Sequence, residues 1–241
     1  MDLLKDKIVW ITGASRGIGA AIAEKLSQET SSKLMLSARS KDSYIYKTEN
    51  LSLRPNTFIL PCDIRKPNDI TRIYNKINYA AGPVDILINN AGVGSFKPFT
   101  EISFDEFDEM NAVNYRGVFS TIKQCLPAML NRQSGVIINI ISGGALKAFK
   151  NSSVYSASKA AVLAMSKALR EEVRQQGVKI IDILPGATET DIWEDGPRKK
   201  FREKMIQPED VAQLVFHTLL QSQNPRYMVE EIIMKPQMGD L

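Results

Sequence analysis

Short apolar runs alternate with longer stretches of helical spacing along the whole chain, and this alternation restricts the fold more than any single motif. Residues 7–12 (KIVWIT) form an apolar run, and residues 18–28 then place Ile18, Ala21, Ile22 and Leu26 on one helical face. The same reading gives strands at 33–37, 57–60, 84–89, 136–141, 178–184 and 228–234. Helices are expected at 69–79, 104–130, 154–176 and 209–220, with Pro127 marking a late kink or end and Gly177 a stop. Strands that are apolar throughout, rather than alternating polar and apolar, belong to sheets buried on both faces. The expected fold class is therefore α/β, one parallel sheet with helices on both faces. No composition shift, repeat or long Gly/Ser/Pro tract divides the 241 residues, so residues 1–241 are expected to form a single domain. The least regular stretch, 186–207, follows the C-terminal end of a strand, where such sheets bind ligands. We read it as a substrate lid in preference to an ordinary surface loop.

Charge and composition exclude several functions. The sum 31 − 27 = +4 is too mild to hold a polyphosphate unaided. No aromatic-basic surface motif appears, so nucleic acid is not an expected partner. The one histidine, His217, lies in an apolar helical stretch and reads as structural or surface rather than catalytic. With only two cysteines, Cys62 and Cys125, far apart, a four-ligand zinc site is excluded and no metal is expected. Two free thiols suit a reducing compartment. The mixed charges of residues 1–7 and apolar runs too short to span a bilayer lead us to expect a cytoplasmic protein without a membrane partner.

Directly after the first strand comes Thr12-Gly13-Ala14-Ser15-Arg16-Gly17-Ile18-Gly19. Glycines at 13, 17 and 19 permit a tight turn and close backbone approach, and the helix that follows would point its N–H groups at a pyrophosphate. The second strand ends on Ala38-Arg39, with no acidic residue until Asp42 to meet an adenosine 2′-hydroxyl. Arg39 and Arg16 instead suit a 2′-phosphate, which favours NADP(H) over NAD(H). The other reading makes both arginines solvated surface groups.

The long helix expected at 154–176 opens with Tyr155 and Lys159, four apart and so one turn apart on one face. An ammonium beside a phenol lowers the phenol's pKa, and the pair can then pass a proton to a forming alkoxide. Ser142, at the end of the fifth strand, faces the same crevice. Its hydroxyl is placed either to hydrogen-bond a carbonyl or to cap the turn begun by Gly143-Gly144.

These motifs, with Asn89-Asn90-Ala91-Gly92, Asn114 and Pro185-Gly186, stand in the order and spacing of the short-chain dehydrogenase/reductase family, which the chain resembles over essentially its whole length. The resemblance implies a single Rossmann-type domain with a seven-stranded parallel sheet of order 3-2-1-4-5-6-7. It implies a carbonyl reduction or alcohol oxidation in which NADP(H) carries the hydride and Tyr155 is the acid/base. Lys159 would hold the nicotinamide ribose and depress the tyrosine pKa, Ser142 would orient the carbonyl, and Asn114 would position a relay water. Residues 11–19, including Ser15 and Ile18, would wrap the pyrophosphate. Asp63, with Ile64, would meet the adenine. Asn90, Ala91 and Gly92 would line the cofactor site, as would Pro185 and Gly186, with Thr188 and Thr190 at its nicotinamide side. No catalytic position departs from the pattern.

Within the family, residues 89–96, 147–155, 185–187 with Trp193, and above all 229–240, are most similar to bacterial sepiapterin reductases. On that resemblance Phe96, Phe149 and Trp193, with Gly143, become candidates to receive a flat bicyclic pterin. Lid and core packing is the competing reading, and for Phe149 the two weigh equally. The alternative is a 3-oxoacyl-[acyl-carrier protein] reductase or a generic short-chain reductase. For the former, the basic run 198–202 (RKKFR) would dock an acidic carrier protein, although a solvated helix face is the plainer reading. A remoter alternative is a non-catalytic NADP-binding sensor. The family also implies a homodimer or homotetramer built on the helix after Asn111 and the helix carrying Tyr155. There Ala157, Ala160, Ala161 and Ala164 permit close packing, whether against a partner or against the chain's own sheet.

Overall fold

Strand β1 (Ile8–Thr12) is buried along its whole length and serves two cores at once. Val9 and Ile11 point into one, while Ile8 and Trp10 point into the other. The computed structural model describes residues 2–39 and 55–239. Within them β1 is followed by α1 (Gly17–Glu29), β2 (Lys33–Ala38), β3 (Thr57–Pro61), α2 (Pro67–Ala81) and β4 (Ile86–Asn89). Then come α3 (Phe104–Asn111), α4 (Gly117–Asn131), β5 (Gly135–Ile140), α5 (Ser153–Val173), β6 (Val178–Pro185), α6 (Asp195–Phe201), α7 (Pro208–Ser222) and β7 (Glu231–Met234).

All strand pairs are parallel, in the order β3-β2-β1-β4-β5-β6-β7. Each connection must therefore cross over a face of the sheet, and both faces are covered. On one face lie α1, through Ile22 and Leu26, and α7, through Val211, Val215 and Leu219. On the other lie α2, α4 and α5, through Ile73, Ile122 and Val162 among others. The order reverses at β1, whose neighbours are β2 and β4, so a crevice opens beyond the C-terminal ends of β1 and β4.

Polar residues inside the strands are satisfied by one another. Thr121 Oγ1 donates to Asn89 Oδ1 at 2.6 Å, Asn89 Nδ2 to Asn139 Oδ1 at 2.9 Å, and Asn139 Nδ2 to Asp182 Oδ1 at 3.0 Å. Arg170 Nη2 closes the chain on Asp182 Oδ2 at 2.7 Å. A fully paired network of this kind keeps β4, β5 and β6 in register beneath the crevice.

Two expectations change in detail. The stretch 104–130 is two helices joined by a π-helical turn, Ala112–Arg116. Pro127 neither ends nor interrupts the second; it lies on the exposed side of α4, which runs on to Asn131. The stretch 186–207 is not irregular throughout, because it contains α6. Gly177 does stop α5 and its last 3-10 turn, in the left-handed conformation at φ 72°. His217 is exposed on α7 and hydrogen-bonds Gln213, in keeping with a surface role.

Candidate active site

A cavity of about 610 Å³ occupies the crevice and runs from the glycine turn to Phe96, Phe149 and Trp193. Its floor is the turn after β1. Gly13 has φ 65°, and a Cβ there would lie 2.7 Å from Ala91 Cα. At Gly19 a Cβ would lie 2.3 Å from Asn90 Nδ2 and 2.4 Å from Gly13 O. Only glycine fits at either position. Asn90 explains the crowding, since its Nδ2 donates to Thr12 O and Gly13 O, both at 3.1 Å. Thr12 Oγ1 returns the tie by accepting from the N–H groups of Asn90 at 3.0 Å and Ala91 at 3.1 Å. The ends of β1 and β4 are thus stitched together. Helix α1 starts on this stitch with no side-chain cap and no acidic residue in its first turn. Its first residues, Gly17 and Ile18, line the cavity, so the positive end of its dipole lies there with no carboxylate of its own first turn to meet it.

At the other end, Tyr155 and Lys159 stand one turn apart on α5 and both are buried. Lys159 Nζ donates to Ile140 O at 3.1 Å and lies 6.0 Å from the Tyr155 ring centroid. Burial lowers its pKa to about 8. Burial raises the pKa of the Tyr155 phenol against the opposing pull of the Ser142 hydroxyl. This corrects the expectation that the lysine ammonium would lower it: Lys159 is turned to a backbone carbonyl, and desolvation of the phenolate prevails. At neutral pH Tyr155 is therefore a protonated donor. Ser142 fills the capping role, because its Oγ accepts from Gly144 N at 3.1 Å.

The aromatic candidates converge. The Phe96 ring stacks on Trp193 with centroids 5.3 Å apart, tilts against Phe149 at 5.7 Å, and meets Tyr155 edge-on at 5.1 Å. Phe96 is held from α3, where Glu106 accepts from Ser95 Oγ at 3.0 Å and pairs with Lys97 Nζ at 2.8 Å. The same carboxylate closes the Ser103 capping box of α3, and Lys97 with Ser103 holds its pKa at about 2.

Most expected site residues line the cavity: Gly13, Ser15, Arg16, Gly17, Ile18, Arg39, Asp63, Ile64, Asn90, Ala91, Gly92, Ser142, Gly143, Tyr155, Lys159, Pro185, Gly186, Thr188 and Thr190, with Phe96, Phe149 and Trp193. Two do not. Gly19 packs behind the turn. Asn114, fully buried in the π-helical turn, is committed to the loop after β4: its Nδ2 donates to Val93 O at 2.9 Å and Ser158 Oγ at 3.0 Å, and its Oδ1 accepts from Val93 N at 2.9 Å.

Arg39 and Arg16 face the cavity but also carboxylates, Glu109 at 3.7 Å and Asp191 at 3.7 Å. The Asp63 carboxylate is already forked by Arg65, with Arg65 Nη2 to Oδ2 at 2.8 Å, and this holds its pKa low. Asp42 and Asp240 lie outside the described residues. Sequence reasoning missed Val93, Asp191, Ile192 and Lys235, which line the cavity beside the residues it found. The C-terminal stretch contributes through β7, where Gly186 N donates to Met234 O at 2.7 Å.

Comparison with known proteins agrees with this architecture. The family model described as short chain dehydrogenase matches residues 7–200. The chain belongs to the short-chain dehydrogenase family. An uncharacterized oxidoreductase of Staphylococcus aureus (strain MRSA252) is 35% identical over 98% of this chain and 100% of its own length. Among solved short-chain enzymes, a metagenomic oxidoreductase in complex with NADP is 29% identical, covers 97% of this chain and 98% of its own, and superposes with a TM-score of 0.82. An alcohol dehydrogenase from the archaeon Thermococcus sibiricus, complexed with 5-hydroxy-NADP, is 29% identical over 98% of each chain with a TM-score of 0.87. As in such short-chain dehydrogenases, the chain is an α/β oxidoreductase built on one parallel sheet. Among its described residues no helix is long and apolar enough to cross a membrane.

Proposed function

We propose that this protein is an NADP(H)-dependent carbonyl reductase or alcohol dehydrogenase in which Tyr155 is the acid/base. The observation that carries the reading is that Ser142, Tyr155 and Lys159 share one wall of a cavity whose far end is a glycine turn under an uncapped helix N-terminus. A nicotinamide dinucleotide fits this donor set. A side chain at Gly13 or Gly19 would collide with the turn's own frame, and the N–H groups of α1 are free to receive a pyrophosphate. Arg16 and Arg39 would hold the 2′-phosphate, Asp63 and Ile64 the adenine edge, and Lys159 the ribose, with Thr188 and Thr190 near the nicotinamide. The bound cofactor supplies the hydride that becomes the new C–H bond at the carbonyl carbon. Ser142 and the Tyr155 hydroxyl hydrogen-bond the carbonyl oxygen, and Tyr155 gives up its proton as negative charge grows there. Lys159 places a positive charge beside the resulting phenolate. Oxidation of an alcohol runs the same steps backwards, with Tyr155 taking the proton.

For the substrate we favour a flat, sepiapterin-type pterin. The support is the group of Phe96, Phe149 and Trp193 beside Tyr155, with Gly143 at the edge. The 3-oxoacyl carrier-protein alternative has less support. Arg198, first of the basic run, turns inward onto Glu189 and Asp191 at 2.6 Å each and leaves less charge to dock a carrier. We further propose a cytoplasmic homodimer or homotetramer. Tyr115 and Phe119, around the start of α4, are exposed, as are Ala157 and Ala164 on α5, and sedimentation would read the state directly.

The test is NADPH oxidation with sepiapterin, a 3-oxoacyl thioester and small ketones, run beside Tyr155→Phe. Turnover should fall by about a hundredfold or more in the variant, the usual size of a proton-transfer contribution. Cofactor affinity should be retained. Tyr155→Phe turning over as fast as the wild type would remove the acid/base assignment, and binding without any turnover would favour a sensor.

A further inference from the structure

One sequence feature the proposed reaction leaves unused is the basic run of residues 198–202, and its first member does not behave as a surface charge. Arg198, on α6 in the lid, donates from Nε to Glu189 Oε1 and from Nη1 to Asp191 Oδ1, each at 2.6 Å. Asp191 then turns its other oxygen to Arg16 Nη1, 3.7 Å away in the glycine turn. Two acids and two guanidiniums thus bridge the lid to the turn, with Arg202 Nε at the margin, 4.0 Å from Glu189. A second, uncharged contact runs alongside. A Cβ at Gly17, next to Arg16, would lie 3.2 Å from Thr190 Cγ2, so turn and lid already touch. Arg16, Gly17, Thr190 and Asp191 all line the cavity. A carboxylate placed beside a phosphate site repels its ligand, so the position of Asp191 calls for a compensating role.

We propose that Asp191 is a positioning residue that latches the lid to the glycine turn through Arg16. The lid and the phosphate-binding turn then close as one unit over the dinucleotide. The inference rests on the dinucleotide reading above and adds to it the element that governs release. Arg198 fixes Asp191, Asp191 fixes Arg16, and a dinucleotide leaves only when the turn and the lid part.

The sign of one measurement separates this role from a local charge effect. Deleting a negative charge beside a phosphate site, with no latch, slows release of an anionic ligand. Deleting the latch speeds it. We expect Asp191→Asn to release both NADPH and NADH about three- to fivefold faster in stopped-flow fluorescence, the scale of one exposed ion pair. The difference from wild type should shrink as salt rises. A second readout needs no cofactor: trypsin should cut after Lys199 and Lys200 faster in Asp191→Asn and in Arg16→Gln, and the double variant should be no faster than either single one. Slower or unchanged release, or additive proteolysis, would overturn the latch. Failure of the wild type to bind either dinucleotide would instead overturn the cofactor reading, with the proteolysis still deciding the latch.

Discussion

The two ends of the cavity are built on opposite principles. At the catalytic end Lys159 is 6% exposed and Asn114 fully buried, and each spends its hydrogen bonds on backbone or on a buried hydroxyl. At the opposite end the side chains of Arg16 and Arg39 are 57% and 58% exposed and meet carboxylates at 3.7 Å. Buried groups tied to the backbone have one geometry and a high cost of change. Solvated pairs are individually weak and interchangeable. The chemistry therefore rests on a few irreplaceable residues, whereas cofactor choice is spread over a loose set of charges. That contrast breaks if substitutions at the two ends have effects of similar size.

The largest effect should come from Lys159→Met. Turnover should collapse, yet the fold should gain stability, on the order of 2 kcal/mol at pH 7, because a buried ammonium with one carbonyl partner is replaced by an apolar chain. The pH dependence fixes the sign. The lysine's folded pKa is about 8 against an ordinary 10.5, so between those values the unfolded chain holds a proton that the native one has lost. Wild-type stability should thus rise with pH through this window, and the advantage of Lys159→Met should shrink across it. In the reductive direction wild-type activity should decline above about pH 8 as the same charge is lost. Urea titrations of both proteins at pH 7 and pH 10 would check the first, and a pH–rate profile the second. A variant less stable than wild type at pH 7 would show that the lysine is structural first.

Next comes Asn114→Ala. Its amide satisfies both the N–H and the C=O of Val93, three residues before Phe96. Leaving those groups unpaired should cost about 1–3 kcal/mol. Amide exchange at Val93 should quicken, and turnover should fall while cofactor affinity holds. Unchanged exchange would disconnect Asn114 from the loop.

How much of this was legible in the sequence follows the same divide. The central strands were plain because burial on both faces leaves mostly apolar residues, and Tyr155 and Lys159 because one helical turn fixes their relation. What escaped was set by tertiary contact. The π-helical turn at Ala112–Arg116 has no pattern of its own; it serves to turn Asn114 onto the loop after β4. Helix α6 is only seven residues long and lacks an apolar stripe, so residues 186–207 read as loop. The inward turn of Arg198 depends on Glu189 and Asp191, acids that a run of cations hides. The raised pKa of Tyr155 is a burial effect that spacing along a helix cannot show.

The smallest expected effect is the sharpest test of the loose end. Glu109, on α3, stands 3.7 Å from Arg39 and 3.5 Å from Arg65, and so draws Arg39 away from any phosphate in the cavity. Arg39→Ala should weaken NADPH binding by about tenfold, the scale of one hydrogen-bonded charge, and leave NADH unchanged. Glu109→Gln should tighten NADPH two- to threefold, within the range of an exposed ion pair, again without moving NADH. Both a freed Arg39 and a simple loss of repulsion predict that tightening. They part in the double variant: if Glu109 acts by holding Arg39, Glu109→Gln does nothing once Arg39 is alanine, whereas bare repulsion survives the loss of Arg39. Dissociation constants for the four proteins thus decide whether nucleotide preference at this end is set by one arginine and its competitor or by the field of the whole cluster.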